Sequence, residues 1–271
     1  MFPILKIFSV ILICVILILF LLYLFQEKLI FYPQKISKGT LNYIRSSHNN
    51  IEDLTLQMKD GTRLRGWFVK NIHNGKSKMI IYFGGNAEEV SWMIDEANRF
   101  KGWSAALMNY RGYGLSDGKP GEKRLFSDAL EIFDYFSSRK DVDSREIVIM
   151  GRSIGTGIAV YLVRSRSAAG VILVSPFDSL SSVAQEIFPF LPVRLILKHK
   201  FDSVNMAPYI KTPSLVLIAS DDKVIPPWHS KKLAEKWGGK IEIREIGGAD
   251  HNTISDKEEY WKSVGEFLKQ F

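Results

Sequence analysis

Apolar residues run through positions 7–25 without a single charge, and beyond them they fall into short bursts whose spacing predicts the elements. Residues 51–56 alternate apolar and polar, Asp60-Gly61 supplies a turn, and residues 64–69 return, which predicts a β-hairpin. Short apolar runs at 79–83, 105–108, 147–150, 171–174, 215–219 and 241–245 are of strand length. Helical spacing fills the gaps at 88–100, 125–136, 154–162, 230–237 and 257–271. Strands alternating with helices predict an α/β fold: a mostly parallel central sheet flanked by helices, with ligands at the carboxyl ends of the strands. No internal repeat or low-complexity tract interrupts this rhythm.

Two stretches depart from it. As a helix, residues 7–25 would extend roughly 28 Å, about the hydrocarbon thickness of a bilayer. No Ala-x-Ala-like cleavage site follows; Gln26-Glu27-Lys28 does. The expectation is an uncleaved, single-pass N-terminal membrane anchor over residues 1–28, with a folded domain over 29–271. Lys6 and the amino terminus flank one side of it, and Lys28, Lys35, Lys38 and Arg45 the other. That count leans towards a cytoplasmic domain but leaves the side open. The second departure is Ile187-Phe188-Pro189-Phe190-Leu191-Pro192-Val193, followed by Leu195-Ile196-Leu197. It is too long for a simple connection between two strands and predicts a small cap over about 178–212, greasy enough to line an acyl pocket or touch lipid.

Composition narrows the function classes. The formal charge of +7 is spread among acidic residues, with no basic run interleaved with aromatics, so a nucleic-acid partner has no motif behind it. The single cysteine, Cys14, lies in the apolar N-terminal run, which excludes an internal disulfide or a cysteine-based metal site.

The chemistry centres on Gly151-Arg152-Ser153-Ile154-Gly155, preceded by the apolar run 147–150 and followed at once by a helical pattern. A turn that sharp strains the serine backbone and crowds its neighbours, which glycines at 151 and 155 relieve. It also sets the serine at a helix N-terminus, where backbone N–H groups can receive a developing oxyanion. A second Gly-x-Ser-x-Gly, Gly114-Leu115-Ser116-Asp117-Gly118, follows no strand and leads into Lys119-Pro120-Gly121, so Ser116 is a loop serine. Ser153 is the expected nucleophile.

A serine needs a base and a carboxylate to orient that base, and after a strand–turn–helix nucleophile these follow in the order acid, base. Of the five histidines, His48 and His73 precede Ser153, His199 falls in the expected cap, and His229 opens a helix. His251 lies in the loop after the last strand and is the expected base. Asp221 and Asp222 both follow the strand at 215–219; Asp222 is preferred, with spacing alone barely separating the two. Asp250, adjacent to His251, is poorly placed to orient it. The expected oxyanion donors are the backbone N–H groups of Ile154 and, from the Gly84-Gly85-Asn86 loop, of Asn86.

In their order along the chain, Gly84-Gly85-Asn86-Ala87, Asn109-Tyr110-Arg111-Gly112-Tyr113-Gly114, Gly151-Arg152-Ser153-Ile154-Gly155, Asp222-Lys223-Val224-Ile225-Pro226-Pro227 and His251-Asn252 resemble the α/β-hydrolase superfamily. The resemblance covers roughly residues 29–271. It is narrower still to the membrane-anchored abhydrolase-domain branch, also described as serine aminopeptidase-like. It implies an α/β-hydrolase fold and a Ser153, Asp222, His251 triad, with Asp222 chosen over Asp221 because it precedes the Lys-Val-Ile-Pro run. Relatives commonly carry His-Gly-Asn where this chain has Gly84-Gly85-Asn86. The resemblance further implies that the 110–114 loop braces the site. The expected function is a membrane-anchored serine hydrolase of carboxylic esters or thioesters, including lipid or acyl substrates, that needs neither cofactor nor metal. Its partners would be the acyl substrate and the bilayer. The alternatives are a serine aminopeptidase or amidase, and a catalytically silent binding protein of the same fold.

Overall fold

A computed structural model describes residues 2–71 and 75–271, with side chains from residue 6 onward; His73 lies outside the described residues. The chain begins with helix α1 (Phe2–Ile30) and the short amphipathic helix α2 (Lys38–Ser47), capped by the Ser37 hydroxyl, which accepts from the Thr40 N–H at 3.0 Å. Strands β1 (Ile51–Gln57) and β2 (Arg63–Val69) form the antiparallel hairpin, with Leu54 opposite Gly66. The expected alternation then unfolds as β3 (Ser77–Phe83), α3 (Met93–Glu96), β4 (Trp103–Met108), α4 (Glu122–Ser137), β5 (Val142–Arg152), α5 (Ile154–Ser165) and β6 (Gly170–Val174). Three short helices, α6 (Leu180–Ile187), α7 (Val193–Ile196) and α8 (Ser203–Met206), precede β7 (Ser214–Ala219). Helix α9 (Pro227–Glu235), β8 (Ile241–Ile246) and α10 (Glu258–Leu268) complete the chain.

The eight strands form one sheet in the order β1-β2-β4-β3-β5-β6-β7-β8, antiparallel across the first two pairings and parallel across the rest. Because side chains alternate across a strand, each central strand feeds two cores. Ile149 and Leu173 face one that holds α4, α5 and α9; Met150 and Ile172 face another that holds α2, α3 and α10. This explains why the central strands read as continuous apolar runs while β1, an edge strand, alternates.

The strand order reverses between β3 and β5. The chain leaving β3 turns towards α3 on one face, and the chain leaving β5 enters α5 on the other. The divergence opens a crevice at the strands' carboxyl ends, between the Gly84-Gly85-Asn86 loop and Ser153.

Several elements differ from the sequence pattern. Residues 88–100 do not form a continuous helix but two 3-10 turns, Val90–Trp92 and Ala97–Phe100, around the four-residue α3. Glu88, the expected first residue, is drawn instead into the loop below it, and Glu89 caps the Ser91 N–H. Strand β5 begins five residues before the apolar run 147–150, extended by pairing of Val142 with Ser77. Helix α9 starts at Pro227 rather than 230, because a proline at the first helical position loses no hydrogen bond.

Helix α1 is long and apolar enough, over Lys6–Ile30, to cross a membrane by length and composition. Its residues 6–18 are exposed, while its last turns pack against the domain, with Gln26 and the following Phe31 buried.

Candidate active site

Ser153 sits between the last residue of β5 and the first of α5 with φ 51° and ψ −120°, a left-handed conformation that a non-glycine residue adopts only under strain. The two glycines around it leave no room for a side chain. A Cβ on Gly151 would lie 2.4 Å from the Gly155 carbonyl oxygen, and one on Gly155 would lie 2.1 Å from that of Phe83. The turn thus depends on bare backbone on both sides, and it holds the serine against the mouth of the crevice.

Two loops converge on this serine. The loop after β8 brings His251, whose Nε2 lies 3.0 Å from Ser153 Oγ, and the loop after β7 brings Asp222, whose Oδ2 lies 2.7 Å from His251 Nδ1. Asp222 Oδ1 accepts the backbone N–H groups of Val224 and Ile225 at 2.9 and 2.8 Å. Burial works to raise the Asp222 pKa, but the hydrogen bond and charge of His251 and the Ile225 N–H outweigh it and hold the carboxyl below its ordinary value. An ionised Asp222 can hold a proton on His251 Nδ1, the tautomer in which Nε2 could accept from the serine. Asp221 is exposed, and Asp250 instead turns its own loop by accepting the N–H groups of Asn252 and Thr253.

The other described histidines are engaged elsewhere. His48 pairs with Asp95, His199 accepts from the Glu122 N–H, and His229 is enclosed between Asp178 and Glu186. Ser116 spends its hydroxyl on the Asn109 carbonyl and on the Arg65 N–H.

Ile154 and Asn86 both line the cavity above Ser153. The Ile154 N–H belongs to the first turn of α5, where N–H groups have no intrahelical acceptor. In the facing loop the Gly85 N–H is committed to Glu88 Oε2 at 2.6 Å. The Asn86 side chain itself holds the loop, accepting from the Tyr32 and Ala87 N–H groups at 3.1 and 3.0 Å. Tyr110 secures the same loop through the Gly84 carbonyl at 2.7 Å, and Tyr113 reaches Asn86 Oδ1 at 3.3 Å. Between them, Arg111 forms a buried two-bond pair with Asp128.

Two residues that motif reading passes over tie these parts together. Buried Glu88 accepts from the Tyr82 hydroxyl, Trp92 Nε1, the Gly85 N–H and Arg152 Nη1, and Arg152 in turn donates to the His251 carbonyl oxygen at 3.0 Å. The available signal is slight: Arg152 lies inside the serine motif, and Glu88 lies three residues past the loop glycine.

A cavity of about 540 Å³ stands over Ser153. Its walls are mostly apolar: Phe177 and Ile225 near the serine, Leu180, Val183 and Phe188 from the segment carrying α6 and α7, and Leu22 and Ile30 from α1. Among the described residues that line it, none is a carboxylate.

The family model described as serine aminopeptidase, S33, matches residues 75–201. An uncharacterized membrane protein of Saccharomyces cerevisiae is 32% identical over 258 residues, spanning 91% of this chain and 90% of the yeast protein. An alpha/beta hydrolase domain-containing protein of Arabidopsis thaliana, WAV2, is 28% identical over 277 residues, spanning 93% and 90%. Among solved structures, an esterase of Pyrococcus furiosus superposes with a TM-score of 0.68 at 20% identity, covering 89% of this chain and 97% of the esterase. By sheet order, helix placement and these relatives, the chain belongs to the α/β-hydrolase superfamily, and its residues 75–201 are similar to the serine aminopeptidase family.

Proposed function

We propose that this protein is a membrane-anchored serine hydrolase that cleaves carboxylic esters or thioesters. The observation that carries the reading is the hydrogen-bonded series Ser153–His251–Asp222 lying beneath an apolar cavity. In the proposed reaction His251 Nε2 takes the hydroxyl proton as Ser153 Oγ attacks the substrate carbonyl carbon. The carbonyl oxygen, now an oxyanion, is received by the Ile154 and Asn86 N–H groups. Collapse of the tetrahedral intermediate expels the alcohol or thiol with the proton returned by His251 and leaves an acyl group on Ser153. Water repeats the sequence, and the acid is released.

Amide cleavage at a free amino terminus is the second reading, and the family description is its warrant. An aminopeptidase must hold an ammonium group near the scissile bond, and the carboxylate for that purpose is missing among the described cavity-lining residues. Esters are therefore favoured. Anchoring is favoured over a cleaved leader because α1 is built into the domain: Gln26 donates to the Ile196 carbonyl and accepts from the Lys198 N–H. The yeast relative, described as a membrane protein, agrees with this.

The test is covalent labelling by a fluorophosphonate, in which Ser153 Oγ bonds to phosphorus and fluoride leaves. Labelling of the wild type and its loss in Ser153→Ala, together with faster turnover of acyl esters than of aminoacyl amides, is the expected result. A wild type that resists the label is a silent binding protein; preference for aminoacyl amides selects the second reading.

A further inference from the structure

Helix α1 contributes Leu22, Gln26, Leu29 and Ile30 to the cavity that holds Ser153 and His251. Their spacing of four, three and one places them on one face of the helix, so a continuous stripe of the anchor forms one wall of the site. The joint is fastened by Gln26, which bridges the Ile196 carbonyl at 3.1 Å and the Lys198 N–H at 2.7 Å.

Length then fixes the depth of that wall. Lys6–Ile30 is 25 residues, a helix of roughly 37 Å. A hydrocarbon layer of about 30 Å measured from Lys6 ends near Gln26. In an anchored chain Leu22 would thus lie within the acyl region, and Leu29 and Ile30 just past it, among the headgroups. With the chain anchored in this way, the α1 wall of the cavity would reach the leaflet.

The segment that meets α1 at Ile196 and Lys198 has the surface this placement requires. Phe190 is 98% exposed and Leu195 86% exposed, and Ile187 and Phe188 are more than half exposed. Lys198 stands 4.2 Å from the Tyr23 ring centroid, a cation beside an aromatic within one helical turn of that boundary near Gln26. An apolar tip flanked by basic residues beside a spanning helix fits the headgroup–acyl boundary.

We propose that the substrate is a long-chain ester of a membrane-resident lipid, whose acyl chain enters from the leaflet along the Leu22–Ile30 face of α1, so that the anchor is a wall of the acyl site. This rests on the serine-hydrolase reading above and names its substrate class. Water supplies the hydroxyl of the released fatty acid, and the lipid alcohol leaves with the proton from His251.

The experiment uses the full chain reconstituted in phosphatidylcholine vesicles doped with a fluorogenic long-chain glycerol ester. A water-soluble short-chain nitrophenyl ester and an S-acylated peptide are run in parallel. Replacing Leu22 by Trp fills the wall, and the long-chain to short-chain ratio of kcat/KM is expected to fall about tenfold. Phe190→Asp combined with Leu195→Asp, both outside the cavity lining, is expected to lower vesicle-lipid hydrolysis about tenfold while soluble-ester turnover and fluorophosphonate labelling stay at the wild-type level. A wild type that takes the label and turns over the soluble ester or the S-acyl peptide, but not the vesicle lipid, overturns this proposal and leaves the hydrolase reading standing. Equal losses on lipid and soluble ester in both variants also overturn it. Failure of the wild type to take the label removes the hydrolase reading and this proposal with it.

Discussion

The guanidinium of Arg152 donates to the backbone carbonyl of His251 at 3.0 Å while it pairs with the Glu88 carboxylate at the same distance. The residue before the serine therefore holds the loop that carries the proposed base, and Glu88, through the Gly85 N–H, holds the loop that faces both. Burial works to discharge the guanidinium, but Glu88 keeps it above its ordinary value, so the link stays charged.

Arg152→Met is expected to lower kcat by about a hundredfold with a much smaller change in KM, because a base displaced by an ångström loses the serine proton before it loses the substrate. Arg152→Lys, able to make one of the two bonds, should recover part of the loss. Steady-state kinetics normalised to fluorophosphonate-titratable sites separates this from simple unfolding, in which kcat per labelled site would be unchanged.

Gly155→Ala should be far more disruptive than an alanine usually is in a helix. The new Cβ would meet the carbonyl oxygens of Phe83 and Gly84 at 2.1 and 2.6 Å, and neither is the movable end of a side chain. Either α5 or the Gly84-Gly85-Asn86 loop must shift, at a cost of about 1–3 kcal/mol. Denaturant unfolding measures the cost, and a fall in kcat at unchanged substrate affinity would show that the loop gave way. A variant with wild-type stability and rate would mean the close approach is not required.

Much of the arrangement is legible in the chain because each part is local. The apolar runs at 147–150, 171–174 and 215–219 can be buried on both faces only in a covered parallel sheet, and the glycines at 151 and 155 mark a turn with no space for side chains. His251 is expected from its position after β8, whereas position after β7 barely separates Asp222 from Asp221 and the resemblance, through the Lys-Val-Ile-Pro run, selects Asp222. Glu88 and Arg152 are not found this way. Their roles depend on partners at 64 and 99 residues' separation, a register that only the folded sheet sets. The same holds for α1: its length suggests an anchor, but that Leu22 and Ile30 face Ser153 depends on the way Gln26 meets the chain after α7. Residues 88–100 mislead because helical spacing persists there while Glu88 is held in the loop.

Neighbouring carboxylates should respond in opposite ways. Asp222→Asn removes the charge proposed to fix the His251 tautomer and is expected to lower kcat by about 10⁴-fold, whereas exposed Asp221→Asn should leave it within about twofold. The pH dependence follows in sign. Because the folded pKa of Asp222 lies below its ordinary 3.8, the stability it contributes is complete above that value and is lost as pH falls through the folded pKa. Wild-type and Asp222→Asn unfolding midpoints should therefore differ most at neutral pH and converge only in strong acid, which a urea series across pH can follow. Equal rates for the two Asn variants would place the orienting carboxylate elsewhere.

The joint between α1 and the rest of the chain should carry its own pH signature through His199. Its ring packs edge-on against Phe31 at 5.2 Å, and its Nδ1 accepts from the Glu122 N–H at 3.2 Å. Burial pushes the imidazole below its ordinary 6.5, with Glu27 and Glu122 opposing the shift and Lys198 assisting it. In the folded chain the ring is thus neutral where an unfolded one has begun to charge. The sign follows: the unfolded state takes up the proton first, so stability is complete above 6.5, falls as pH drops below it, and levels off beneath the folded pKa. Protonation also removes the acceptor for Glu122 and loosens the chain between α7 and α8 from α4. Unfolding midpoints of the detergent-solubilised chain measured from pH 7.5 to 5 should fall in the wild type and lose most of that slope in His199→Gln, which cannot titrate. A slope of equal size in both would trace the acid sensitivity to another group.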